Sequence, residues 1–261
     1  MKYTLITGAS QGMGWHMAKE CAALNRNILL ISLPNENLSQ LANDITNEFK
    51  VSCHFFEIDL TLKDSSKKIY EWVKKNSYLV DFLINNAGFG GVGSFDNYSS
   101  EYIENMIDLN VKATTKMTHY FIPDLKKNAP SYILNNASMM ANFPCPYKSI
   151  YAASKVYVKY FTEALRVELK QYNISVSLLQ PGATPTNEVV KNQINNGGFF
   201  ARLSVTPVDK VAAKAIKNTL NRKPIIIPGW KNRMSLRFLK ILPKSILRFL
   251  ILRSTKSILK S

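Results

Sequence analysis

Residues 7–14 read Thr-Gly-Ala-Ser-Gln-Gly-Met-Gly and lie between an apolar stretch at residues 2–7 and an amphipathic stretch that begins near Trp15. Glycines in such a turn allow a sharp change of direction and a close approach of the backbone to a pyrophosphate. The start of the following helix adds unpaired N–H groups and the positive end of the helix dipole. The stretch therefore predicts a strand, a turn and a helix that bind a phosphorylated ligand. An ordinary tight turn is the alternative when this stretch is considered alone.

The rest of the chain alternates short apolar or β-branched runs with amphipathic runs of helical periodicity. Seven strands are expected at residues 2–7, 27–32, 51–58, 80–85, 131–136, 174–179 and 224–227. Six helices are expected between them, at residues 12–24, 36–49, 62–76, 101–125, 149–172 and 207–220. Such alternation gives right-handed crossovers and a parallel sheet with helices on both faces. The sequence therefore predicts a doubly wound, three-layer α/β fold. The Asn- and Gly-rich residues 184–206 are expected to form a loop that acts as a lid.

Positive charge is concentrated at the carboxyl end of the chain. The 261 residues carry a formal charge of +16, and residues 231–261 contain nine basic residues and no acidic one. Apolar residues alternate with the basic ones, and Pro243 is expected to break this segment into two helices. Basic amphipathic helices suit an anionic membrane surface. A helix pair packed on the body of the protein and a partly disordered tail remain the alternatives. We therefore divide the chain into a main α/β domain, residues 1–230, and a basic amphipathic extension, residues 231–261.

Composition excludes several classes of protein. Hydrophobic residues make up 46% and charged residues 20%, which is typical of a globular chain. The three cysteines form no C-x-x-C pair, and the three histidines lack ligand spacing, so neither a disulfide framework nor a metal site is expected. No apolar run approaches the ~20 residues that span a bilayer. A cytoplasmic protein is expected, peripheral at the inner membrane face if the extension binds lipid. No nucleic-acid-binding module is present, so we expect no nucleic-acid partner.

Further motifs occur in a characteristic order along the chain. The spacing of the glycine turn is T-G-x-x-x-G-x-G, and Ser138 precedes Tyr151 by thirteen residues. The other motifs are Asn-Asn-Ala-Gly at 85–88, Asp-Leu-Asn-Val at 108–111, Tyr-Ala-Ala-Ser-Lys at 151–155 and Pro-Gly at 181–182. Together they resemble the short-chain dehydrogenases/reductases over about residues 1–230. The resemblance implies a Rossmann fold with a seven-stranded parallel sheet. It also implies hydride transfer between a nicotinamide cofactor and a carbonyl or secondary alcohol.

The resemblance implies a catalytic set of Asn110, Ser138, Tyr151 and Lys155. Tyr151 and Lys155 are four residues apart, so both lie on one face of a helix. We expect the nearby ammonium to lower the pKa of the Tyr151 phenol, which then acts as the general acid/base. In the family, the serine holds the substrate oxygen and the lysine also binds the nicotinamide ribose. The asparagine holds a water that links the lysine to solvent.

The resemblance also implies a cofactor site. Besides Tyr151 and Lys155, it comprises Gly8, Ser10, Gln11, Gly12, Met13, Gly14, Ser32, Asp59, Leu60, Asn86, Ala87, Gly88, Pro181, Gly182 and Thr184. Residues 32–35 contain no acid that would repel the phosphate of NADP. The basic residues that usually bind this phosphate are also missing, because Leu33 and Gln11 occupy their places. The balance favours NADPH and leaves NADH open.

The sequence constrains the identity of the carbonyl substrate least. Met139, Met140 and Phe143 precede Tyr151, and more apolar residues lie in the expected lid, which favours an apolar, lipid-like ketone. The extension resembles that of a bacterial subgroup, the DltE-like oxidoreductases, which is similar to reductases of long acyl and steroid ketones. Family members usually associate through helices that correspond to 101–125 and 149–172, so a homodimer or homotetramer is expected. A nucleotide-binding sensor or scaffold on the same fold is the alternative function.

Overall fold

The strands form one parallel sheet. The computed structural model describes residues 2–186, 188–195 and 205–259. Within these residues the strands are β1 Lys2–Thr7, β2 Asn27–Ser32, β3 Cys53–Glu57, β4 Leu79–Asn85, β5 Ser131–Asn136, β6 Ile174–Leu179 and β7 Ile225–Ile226. Their order in the sheet is β3-β2-β1-β4-β5-β6-β7, and every neighbouring pair is parallel. The doubly wound sheet predicted from the sequence is confirmed.

Helices follow the strands along the chain. In the described residues they are α1 Gly12–Ala23, α2 Leu38–Phe49, α3 Ser65–Lys75, α4 Ser100–Ile107, α5 Thr114–Lys127, α6 Ser149–Leu169, α7 Glu188–Asn195, α8 Val208–Leu220, α9 Trp230–Ile241 and α10 Lys244–Leu259. Short single-turn helices at Phe95–Asn97, Met139–Asn142 and Lys170–Tyr172 connect some of them.

Each face of the sheet is covered by a hydrophobic core of its own. Successive side chains of a strand point to opposite faces. Ile6 accordingly packs in the core that contains residues of α1, α2 and α8, whereas its neighbour Leu5 packs in the core that contains residues of α3, α5 and α6. All six residues of β2 are buried, as expected for a central strand of a parallel sheet. These two cores fix the carboxyl ends of the strands, where the loops meet.

The expected single helix at residues 101–125 is interrupted. Between α4 and α5 the chain forms a π-helical segment, Asp108–Ala113, and α5 continues to Lys127. Periodicity did not reveal this segment because it keeps the chain helical and shifts only the hydrogen-bond spacing. The buried side chain of Asn110 lies within it and binds the backbone of Phe89. The departure from α-helical spacing therefore coincides with a tertiary contact.

Other predicted bounds also change. Residues 36–49 form a helix only from Leu38, because Asn35 and Asn37 adopt positive φ angles. The segment at 224–227 pairs only at Ile225–Ile226. The prediction of a loop at 184–206 is wrong in part, since α7 lies within it; residues 187 and 196–204 lie outside the described residues.

The carboxyl-terminal extension forms two helices, α9 and α10, with the expected break at Pro243. Asn232 holds α9 to the body: its Nδ2 donates to Pro228 O at 2.9 Å and to Thr206 Oγ1 at 3.1 Å. Leu236 and Thr255 are buried. The packed helix pair is therefore the alternative that the structure supports over a disordered tail. Within the described residues, no helix has both the length and the apolar character needed to cross a bilayer.

Candidate active site

A cleft of about 1140 Å³ opens at the carboxyl ends of the strands. It lies where the strand order reverses between β1 and β4, which is the position at which doubly wound sheets bind ligands. Pockets for single small ligands usually measure about 300–1,000 Å³. The cleft therefore lies just above the upper end of this range and is large enough for an extended ligand.

The glycine turn closes one end of the cleft. Gly8 has a φ of +63°, and a Cβ there would lie 2.9 Å from Ala87 Cα. Asn86 Nδ2 holds the turn by donating to Thr7 O at 3.0 Å and to Gly8 O at 3.1 Å. No side chain caps the start of α1, and its first turn contains no acid. Backbone N–H groups at this end are therefore available to an anion, and the turn fits a dinucleotide pyrophosphate.

Two hydroxyl groups meet at the end of β2, and an acid, Asp59, follows β3. Ser32 Oγ donates to Ser10 Oγ at 2.9 Å, and Asp59 Oδ1 accepts from the backbone N–H of Thr61 at 2.8 Å. Glu36 also lines the cleft, although the acid was expected only within residues 32–35. Its place in the loop between β2 and α2 could have indicated this position from the sequence. β2 therefore ends without an acid, as expected, but a carboxylate follows it four residues later.

Ser138, Tyr151 and Lys155 line the same cleft. Lys155 Nζ donates to Asn136 O at 2.9 Å and lies 5.7 Å from the centroid of the Tyr151 ring. Burial lowers the pKa of Lys155 to about 8, because desolvation disfavours the ammonium form. A hydrogen bond joins the side chains of Ser138 and Tyr151. The structure therefore brings a hydroxyl pair and a titratable amine to one wall of the cleft.

The pKa of Tyr151 departs from the sequence-based expectation. Burial raises it, and the hydrogen bond from Ser138 opposes this effect without overcoming it. The expectation that the Lys155 ammonium lowers this pKa was wrong, because desolvation of the buried phenol is the largest effect on it. A phenol with a raised pKa stays protonated at neutral pH. Tyr151 is accordingly present in its protonated form.

Asn110 lies behind the cleft and does not line it. Its Oδ1 accepts from Phe89 N at 3.0 Å, and its Nδ2 donates to Phe89 O at 2.9 Å and to Ser154 Oγ at 3.0 Å. The amide is 1% exposed and both of its polar atoms have partners. It therefore ties the loop after β4 to α6, next to Tyr151.

The carboxyl-terminal helices form part of the cleft wall. Ser235 and Leu239 of α9 and Leu250, Ile251 and Thr255 of α10 line it. The sequence placed this segment outside the catalytic domain and contained no signal for the contact. The wall that these residues form is mainly aliphatic.

The comparisons with known proteins decide the family. A model of the family described as short chain dehydrogenase matches residues 2–197. The chain belongs to the short-chain dehydrogenase family. The family predicted from the motifs is therefore confirmed, and α8, α9 and α10 lie beyond the matched part of this short-chain dehydrogenase.

Several named relatives are similar to this chain. The very-long-chain 3-oxoacyl-CoA reductase of Macaca fascicularis is 30% identical over 190 residues, which are 69% of this chain and 58% of that one. The 11-beta-hydroxysteroid dehydrogenase-like 3 of Arabidopsis thaliana is 32% identical over 232 residues, 88% of this chain and 74% of that one. A solved short-chain dehydrogenase from Sphingobium yanoikuyae in complex with NADPH has a TM-score of 0.79 at 27% identity, covering 92% of each chain. The chain spans about three fifths of the length of three curated relatives that it matches.

Most of the predicted site residues meet in the cleft. All of them line it except Gly14 and Asn110. Gly14 packs beneath the turn instead, since a Cβ there would lie 2.0 Å from Gly8 O. Lys148 was missed as a lining residue, and its spacing of three from Tyr151 was the available signal. The functional roles of these residues remain predictions.

Proposed function

We propose that this short-chain dehydrogenase is an NADPH-dependent oxidoreductase that interconverts a ketone and a secondary alcohol. The observation that carries the proposal is that Ser138, Tyr151 and Lys155 line the same cleft as the glycine turn, where the start of α1 has no side-chain cap. NADPH, when bound, supplies the hydride. The names of relatives support the same chemistry, since they include a 3-oxoacyl-CoA reductase and a dehydrogenase in complex with NADPH.

The proposed roles follow from position and protonation. Tyr151 gives its proton to the ketone oxygen during reduction, for which its raised pKa keeps it in the required form. Ser138 donates a hydrogen bond to the same oxygen and orients it. Lys155 binds the nicotinamide ribose and, with a pKa of about 8, takes up and releases a proton near neutral pH. Asn110 holds the neighbouring backbone, and the family's water link to solvent is assigned to it by resemblance.

The proposed cofactor preference is NADPH, with NADH as the alternative. Ser10 and Ser32 offer two hydroxyl groups at the end of β2, where an added phosphate would accept hydrogen bonds. Glu36 lines the same end and opposes this phosphate. The remainder of the proposed site consists of Gly8, Gln11, Gly12, Met13, Gly14, Asp59, Leu60, Asn86, Ala87, Gly88, Pro181, Gly182 and Thr184. Fluorescence titration with each nucleotide distinguishes the two cofactors.

An apolar ketone is the proposed substrate. Met139, Met140 and Phe143 line the cleft, and so do Leu239 and Leu250 of the extension. Burial of apolar surface contributes about 25 cal/mol for each Å², so such walls favour a long hydrocarbon group. The extension, residues 231–261, would then be part of the catalytic unit rather than an independent appendage to residues 1–230.

The outer surface of the extension supports a peripheral contact with an anionic membrane. Phe238, Ile241 and Phe249 are between 58% and 82% exposed, and basic residues are interspersed among them. This combination suits insertion at a lipid surface, where each basic residue contributes about 1 kcal/mol. A protein held at the inner membrane face would take an apolar ketone directly from the bilayer.

The membrane contact is tested by charge reversal. The double variant Arg237→Glu, Arg248→Glu should sediment less with vesicles that contain phosphatidylserine, whereas neutral vesicles should bind neither protein. Lys116→Glu with Lys170→Glu is the matched control, because it changes the net charge equally at exposed positions outside the extension. Equal binding of both double variants would contradict the proposal.

Association into a homodimer or homotetramer is proposed through α6. Tyr157, Tyr160 and Val167 of this helix are 41%, 62% and 77% exposed, which leaves an apolar strip available to a second copy. Sedimentation equilibrium tests this. A purely monomeric protein at micromolar concentration would contradict it.

The decisive experiment on the reductase proposal is Tyr151→Phe. Loss of a positioned general acid lowers rates by about 10²–10⁴-fold. We expect this loss in kcat for an apolar ketone, with the NADPH dissociation constant little changed. A variant with full turnover would refute the assigned acid. A wild-type protein that binds neither nucleotide would instead favour the sensor or scaffold alternative.

A further inference from the structure

The cleft contains a second basic side chain that the reductase chemistry does not use. Among the described residues that line the cleft, two are basic, Lys148 and Lys155. Lys155 Nζ donates to Asn136 O, whereas the side chain of Lys148 has no hydrogen bond or ion pair with the described residues. It interacts with the Cys145 thiol, and this thiol is neutral at pH 7 because burial raises its pKa to about 11. Lys148 therefore has no counter-charge there.

The chain does not provide an acidic partner elsewhere. No carboxylate of the residues that the structure describes lies within 4.0 Å of the Lys148 ammonium. The remaining residues of the chain contain neither Asp nor Glu. Partial burial lowers the pKa of Lys148, which reflects the free-energy cost of an ammonium partly withdrawn from water. An unpaired cation in such a half-buried position is destabilising unless a ligand pairs with it. The position of this ammonium in the cleft indicates where such a ligand binds.

We propose that Lys148 binds a carboxylate of the substrate, so that the site takes an apolar ketone bearing one negative charge close to its carbonyl. The inference rests on the reductase function proposed above. A single ammonium, with no arginine among the described residues that line the cleft, matches one carboxylate rather than a group of higher charge. Lys148 and Tyr151 line the same cleft, and the Cys145 thiol interacts with both side chains. We therefore place the carboxylate on the same part of the substrate as the reacting carbonyl.

The start of α6 adds to the attraction for an anion. Lys148 is the N-cap residue, and its side chain does not cap the helix. The positive end of this helix dipole and the ammonium of Lys148 therefore act on the same place. Apolar residues line other parts of the cleft: Met139 and Phe143 follow β5, and Leu239 and Leu250 belong to the extension. The composition of the cleft matches an amphiphile with a polar end at Lys148.

Binding of octanoate and octanol to the full chain tests the charge recognition without turnover. Hydrogen bonds to charged groups change affinity by about tenfold to a hundredfold. Calorimetry should show octanoate binding at least about tenfold more tightly than octanol to the wild type. Lys148→Gln should remove that preference, and Lys148→Arg should retain most of it. Lys116→Gln, an exposed lysine of α5, is the matched control and should retain all of it.

Either of two results would overturn the inference: equal affinities in the wild type, or a preference that survives Lys148→Gln. Turnover separates this failure from that of the reductase proposal. A keto carboxylate should have a higher kcat/KM than its methyl ester, and the ratio should fall about tenfold in Lys148→Gln. If Tyr151→Phe keeps full turnover while the octanoate preference holds, the reductase mechanism fails and the carboxylate site stands.

Discussion

Gly90 offers a direct test of the geometry around Tyr151. A Cβ at this position would lie 2.4 Å from Tyr151 Cδ2 and 2.8 Å from Cε2. Carbon atoms in ordinary contact are about 3.5–4.0 Å apart, so Gly90→Ala must separate the loop and the ring by about 1 Å. The φ angle of Gly90 lies outside the left-handed region, so alanine is tolerated by the backbone and the effect is steric.

A displacement of about 1 Å at a reacting group costs about a hundredfold in rate, which corresponds to about 2.7 kcal/mol in the activation free energy. We therefore expect Gly90→Ala to lower kcat for an apolar ketone about a hundredfold, measured by NADPH absorbance under saturating cofactor. The NADPH dissociation constant should change by less than about threefold, because the clash is with Tyr151 rather than with the glycine turn.

Gly93→Ala is the matched control for this prediction. Its Cβ would meet Tyr98 Oη at 3.2 Å, and Gly93 does not line the cleft. We expect its kcat to remain within about twofold of the wild type, which is a difference of less than about 0.5 kcal/mol. The reasoning is refuted if folded Gly90→Ala matches that control, since Tyr151 would then need no fixed place against the loop.

Three further predictions concern the cofactor, the buried amine and the buried amide. Glu36→Gln should tighten NADPH binding about fivefold to tenfold relative to NADH in a fluorescence titration, because a repelling carboxylate is removed; an unchanged ratio would exclude Glu36 from the cofactor site. Lys155 has a pKa of about 8 when folded, so the unfolded chain binds its proton more strongly and the free energy of unfolding should rise with pH between about 8 and 10. Urea denaturation should show this rise reduced in Lys155→Met, and equal pH slopes would contradict it. Asn110→Ala loses the three hydrogen bonds of a buried amide and should lower the free energy of unfolding by about 2–4 kcal/mol, whereas Asn97→Ala on the surface should not.

The sequence was sufficient for those features that arise from local patterning. Alternation of apolar runs predicted the sheet, and the glycine spacing predicted the turn that closes the cleft. Tyr151 and Lys155 were placed together because residues four apart share a helix face. Their pKa values were not predictable in the same way. Desolvation depends on how completely the surrounding elements exclude water, and this property belongs to the packed structure.

The contacts missed from the sequence are those made between distant segments. The extension could be recognised as two basic amphipathic helices, but amphipathicity specifies only that one face is buried, not what buries it. The structure resolves this by placing Leu239 and Leu250 in the cleft and Asn232 on the body. The role proposed for Lys148 likewise depends on the packed structure. Only the surrounding residues of the cleft show that this ammonium lacks an acidic partner. Its isolation joins two conclusions that the sequence kept apart: an apolar substrate and a charged one are compatible if they are the two ends of one molecule.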